Sequence, residues 1–128
     1  MDPAEDLLRR LALNDEKALG RVLTPRVGAD RHGELGAKLE LLVRLAALLA
    51  VGAATSSLRE AVEQGFAAGA SPDELVDVLV AVGPTIGLAS LVASAQRLAA
   101  AIGYDLENGH RQPSGRGAGD PLPGGARS

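Results

Sequence analysis

Apolar residues along this chain recur at helical spacing, and residues that start or stop helices separate the runs. Asp2 precedes Pro3, with Glu5 three residues on, a helix start that leads into Leu7, Leu8 and Leu11 on one face. Asn14 is placed to cap a short second helix, Asp15 to Leu23, striped by Ala18, Leu19 and Val22 and stopped by Thr24-Pro25. Residues 25–36 hold Pro25 and three glycines among charges and predict an exposed loop or lid. Leu39 to Ala54 predicts the most apolar helix. Only Glu40 and Arg44 interrupt it, spaced to pair one turn apart, and Gly52 ends or bends it. Thr55-Ser56-Ser57 opens the next helix, with Ser57 and Glu60 as a capping box and Leu58, Ala61, Val62, Gly65, Phe66 and Gly69 as a packing stripe. Gly69 supplies a left-handed stop, and Ser71-Pro72-Asp73-Glu74 reads as another capping box before Leu75, Val78, Leu79 and Val82. Gly83-Pro84 predicts a break, and a last helix runs from about Thr85 to Ala101 and ends at Gly103-Tyr104. No run alternates as a strand would. The expectation is an all-α fold, a small helical domain of about six helices over residues 1–108.

The end of the chain changes character. Gly109 to Ser128 holds six Gly and three Pro with almost no large apolar residue, so it cannot bury enough surface to offset ordering, and 109–128 predicts a disordered tail. Val78 to Gln96 is uncharged over 19 residues, yet Gly83-Pro84 and scattered hydroxyls favour two shorter helices over a membrane span. The acidic start, Met1-Asp2-Pro3-Ala4-Glu5-Asp6, does not read as a secretory signal, and the expected location is the cytoplasm.

Composition removes whole classes of chemistry. The chain has no cysteine, so thiol nucleophiles, disulfides and cysteine-held metals are excluded within it. Two histidines, His32 and His110, are too few for a three-histidine metal site, and no metal or cofactor is expected. With Phe66 and Tyr104 as the aromatics and a net charge of −3, neither base stacking nor electrostatics points to nucleic acid or to an acidic membrane. Ala and Leu together make up 44 of 128 residues. A core built from such small side chains, with two helices apolar on most sides, predicts an obligate homo-oligomer that covers the Leu39–Ala54 or the Thr85–Ala101 helix.

From Lys38 to Leu98 the chain resembles the carboxymuconolactone decarboxylase / alkylhydroperoxidase D-like family. The residues that carry the likeness are Lys38-x-x-x-Leu42-x-x-Leu45-Ala46, Ala61-x-x-x-Gly65-x-x-x-Gly69, the turn Gly69-Ala70-Ser71-Pro72-Asp73-Glu74-Leu75, and Val78-Leu79 with Gly87. The likeness covers about 60 residues and is sharpest at the turn. It implies an all-helical fold assembled as a trimer or hexamer. It also implies an active site at the start of the helix before that turn, where the family's redox branch keeps two cysteines and a histidine and its decarboxylase branch keeps the histidine. Here those positions fall at Ala54, Ser57 and Ala61; the upstream glutamate falls near Leu41, next to Glu40, and a frequent tyrosine falls at Thr85. Serine cannot pass through sulfenic acid or disulfide, so thiol peroxidase chemistry is excluded, and alanine at Ala61 removes the usual proton shuttle.

The remaining candidates are a ligand set and three substitute acid–base groups. Arg44, with the hydroxyls of Thr55, Ser56 and Ser57 at a helix N-terminus, would suit a small organic acid, against a plain reading of ion pairing and capping. Glu40, Glu60 and His32 are the groups that would serve a non-redox decarboxylase, isomerase or cyclase. The leading expectation is a family-like oligomer that lacks the redox and acid–base residues and retains small-molecule binding or no activity. The alternatives are that non-redox enzyme and a structural or protein-interaction module.

Overall fold

A computed structural model describes residues 2–24, 34–106 and 110–111. The described chain is all-α, with six helices and one short pair of strands, and it divides into two compact units, residues 1–34 and residues 35–128.

In the first unit, α1 (Pro3–Ala12) begins as its sequence predicts, with an Asp2 carboxylate oxygen accepting from the Glu5 N–H at 2.8 Å. The start of α2 (Glu16–Leu23) lies one residue later than expected. Asn14 takes the left-handed conformation, φ 64°, and makes the corner, so the cap falls to Asp15, which accepts from the N–H groups of Lys17 and Ala18. The two helices pack on one another. Ala18 is fully buried, whereas Leu8, Leu13 and Leu23 are largely exposed.

The second unit carries α3 (Gly36–Val51), α4 (Thr55–Ala67), α5 (Pro72–Ile86) and α6 (Leu88–Ile102), followed by β1 (Tyr104–Asp105) paired antiparallel with β2 (His110–Arg111). This strand pair was not expected, and β2 falls within the 109–128 segment predicted as a tail. The rest of that segment, residue 109 and residues 112–128, lies outside the described residues. The helices close a ring: α3 packs on α4 and α5, and α6 packs on α4 and α5 from the opposite corner. At the centre lie Leu45 and Leu49 of α3, Leu58, Ala61 and Val62 of α4, Leu75 and Leu79 of α5, and Leu98 and Ala101 of α6. Burial of each large aliphatic side chain contributes about 1.5–3 kcal/mol, so these leucines hold the unit together.

Three details of the second unit have local physical causes. Gly52 ends α3 in the left-handed conformation, φ 73°, where a side chain would be strained, and its N–H reaches back to the Leu48 and Leu49 carbonyls. Pro84 does not break its helix. It sits in the last turn of α5, and the break falls at Gly87, φ 87°, which alone joins α5 to α6. Phe66 is 39% exposed rather than core, because Leu58, Ala61, Val62 and Gly65 fill the buried face of α4 and leave it at the edge. The uncharged run 78–96 is thereby cut at Gly87, and no helix among the described residues is long and apolar enough to cross a membrane.

Candidate functional site

The turn between α3 and α4 is where the resemblance places chemistry. Helix α4 starts three residues before the position that a cap at Ser57 predicts for it. Ala54 is extended and serves as the cap residue, its carbonyl accepting from the Leu58 N–H at 3.1 Å, and no side chain caps this end. Ser57 is therefore the third helical residue, and the Ser57–Glu60 capping box is not formed. The cause is upstream. Gly52 stops α3 early enough that the chain re-enters helix at Thr55, before Ser57 can act. Thr55, Ser56 and Ser57 thus stand in the first turn of α4, where the backbone N–H groups have no partner in the helix. Ser56 and Ser57 are exposed and Thr55 half-buried. The helix dipole adds partial positive charge at this end.

Arg44 does not join this group. It is exposed on α3, seven residues and so roughly 10 Å before the helix ends. Nor does it pair with Glu40: among the described residues the ion pairs are Arg10–Asp6 and Lys38–Glu74. The cation at the turn is Arg97 of α6 instead. A Cβ placed on Gly52 would lie 4.0 Å from its Nη1. Arg97 is the one charged residue of α6, and that isolation was the available signal; which turn it would reach depended on how the helices pack.

Ser94, one helical turn before Arg97, supplies the buried link between α6 and the same turn. Its hydroxyl donates to the Leu49 carbonyl at 3.0 Å, and the side chain is 2% exposed. This contact supports the end of α3, whose last carbonyls lack intrahelical donors.

The acid–base candidates are not assembled. Glu60 is exposed on α4 and Glu40 half-buried on α3. His32 lies outside the described residues. Of the positions matched to the family's chemistry, Ala54 and Thr85 are exposed and Ala61 is buried in the core. Among the described residues no group of three His, Asp or Glu side chains is placed to hold a metal ion.

The family-like turn itself has a complete structural role. The Ser71 hydroxyl accepts from the Glu74 N–H at 3.1 Å, and Glu74 Oε1 accepts from the Ser71 N–H at 2.9 Å, closing the predicted box. Glu74 Oε2 accepts from Lys38 Nζ at 2.9 Å and so ties α5 to the first turns of α3. The Lys38 hydrogen bond, followed by that from the Ser71 backbone, holds the Glu74 carboxyl below its ordinary pKa of 4.5.

No family model, no curated protein and no solved structure matches the chain.

Proposed function

We propose that residues 35–106 form a self-assembling helical unit of the carboxymuconolactone decarboxylase / alkylhydroperoxidase D-like type, working without thiol redox chemistry. The observation that carries this reading is the open apolar face of α3. Leu35, Leu39 and Val43 are each about half exposed, at 53%, 47% and 51%, and Val51 is 76% exposed. The helix already gives Leu45 and Leu49 to the core, so it is apolar on faces that its own unit does not cover. The Gly69–Leu75 turn, with its capping box, supports the family likeness. The lack of cysteine removes peroxidase turnover with a thiol reductant.

Light scattering at micromolar concentration tests the proposal: a multiple of the 13.0 kDa chain mass is expected, and a mass of one chain overturns it. The second reading is binding of a small organic acid at the α4 N-terminus. The bare first turn of α4 with its three hydroxyl residues, and Arg97 beside Gly52, favour it. In an NMR titration with acetate or succinate, shifts centred on Thr55–Ser57 and lost in Arg97→Gln are expected; shifts spread over the surface, or unchanged by that substitution, count against it.

A further inference from the structure

Resting on the self-assembly reading above, we infer that α3 pairs antiparallel with α3 of a second copy of this chain, with Leu39 of one copy packed on Ala50 of the other. The seam is Leu39, Val43, Ala46 and Ala50, which recur at spacings of four, three and four residues and so line one side of the helix. Leu39, Val43 and Ala50 are exposed and Ala46 is half-buried, so this side is turned away from the core leucines Leu45 and Leu49.

The direction of pairing follows from side-chain size. The large residues of the seam, Leu39 and Val43, lie in its first half, and the small ones, Ala46 and Ala50, in its second. A parallel pair would set Leu39 against Leu39 and Ala50 against Ala50. The helices would then be wedged apart at one end, with a gap at the other. Reversing one helix sets Leu39 on Ala50 and Val43 on Ala46 at every level, so that large meets small throughout and the axes stay close, near the short end of the usual 8–10 Å range.

The charges at the border of the seam agree. Glu40 and Arg44 lie on the same flank of α3. In a parallel pair this flank of one copy lies on the opposite side of the seam from that of the other, so neither charge meets its opposite. In the antiparallel pair with Leu39 opposite Ala50, Glu40 of one copy and Arg44 of the other lie on the same side, five residues or ~7.5 Å apart along the axis, within reach of two extended side chains. One twofold axis makes both contacts at once, so the face is complementary to itself in shape and in charge.

The absence of cysteine makes the test clean, because every thiol is then an introduced one. Leu39→Cys and Ala50→Cys chains are prepared separately, mixed and oxidised. The expected result is a cross-linked dimer from the mixture and none from either chain alone, since only Leu39 and Ala50 of opposite copies approach within disulfide range. Val43→Glu, on the same exposed face, is expected to reduce the mass of the assembly while leaving the helical circular dichroism unchanged. Cross-linking of the Leu39→Cys chain with itself overturns the antiparallel arrangement. An assembly that does not cross-link in the mixture and is indifferent to Val43→Glu overturns α3 as the seam but leaves self-assembly standing. A single-chain mass for the unsubstituted protein overturns both.

Discussion

Removing the Ser94 hydroxyl gives the sharpest measure of how the α3–α4 turn is held. Ser94→Ala deletes one donor from a site that is 2% exposed, and the group it leaves behind is the Leu49 carbonyl. A hydrogen bond in such a site contributes about 1 kcal/mol net, and a buried acceptor left wholly unpaired costs about 1–3 kcal/mol. The carbonyl is not left wholly unpaired, because the Gly52 N–H also approaches it, at 3.3 Å. The loss is therefore at the low end, about 1.5 kcal/mol. Alanine returns about 0.5 kcal/mol through its higher helix propensity. The net expectation is a destabilisation of about 1 kcal/mol. In urea, with a slope of about 1 kcal/mol per molar for a small helical unit, the midpoint falls by about 1 M while the slope is unchanged. If the hydroxyl bonded only within its own helix, the propensity gain would dominate and Ser94→Ala would be neutral or stabilising. That result would refute the cross-helix role.

Two further outcomes follow from the same unit. Glu74 has its pKa lowered in the folded chain, so its contribution is present above the ordinary value of 4.5 and is lost as pH falls through the lowered one. Stability measured between neutral pH and pH 3 should decline less steeply in Glu74→Gln than in the unsubstituted chain, and identical slopes would show that the Lys38–Glu74–Ser71 cluster does not sense pH. Gly52→Ala forces a side chain into a left-handed backbone at φ 73° and should destabilise by about 1–2 kcal/mol in the same urea titration; a neutral effect would mean that the turn relaxes freely.

The features read correctly from the sequence were those whose physics is local. The Ser71–Glu74 box is made within four residues, so its pattern determines its geometry. The left-handed stop at Gly69, φ 98°, is likewise a property of one residue. The buried stripe of α4 follows from helical period alone as far as Gly65. The errors arose where two local patterns competed. Ser57 and Glu60 satisfy the capping rule as well as any pair in the chain, but where α4 begins is decided by where Gly52 releases α3. Gly83-Pro84 carries a break signal, yet Pro84 stands inside the last turn of α5 and the helix ends only at Gly87. The candidate site was the least legible part. Arg44 is close in sequence to the hydroxyls near Ser57 but stands on α3, well before the turn, and Arg97, forty-five residues beyond Gly52, reaches the turn only because α6 packs against α4.

The short joints of residues 35–106 bear on how the chain folds in time. A single residue, Gly87, separates α5 from α6, and α3 and α4 are separated only by residues 52–54. Each of these pairs is a hairpin whose contacts span little sequence, so little loop entropy is spent before apolar burial begins to compensate it. The closing contacts, α3 on α5 and α4 on α6, each skip just one helix. A chain wired this way belongs to the microsecond-to-millisecond class of folders. For the assembly proposed above, the monomeric form is then reached long before two chains at micromolar concentration meet, and encounter rather than folding would set its rate.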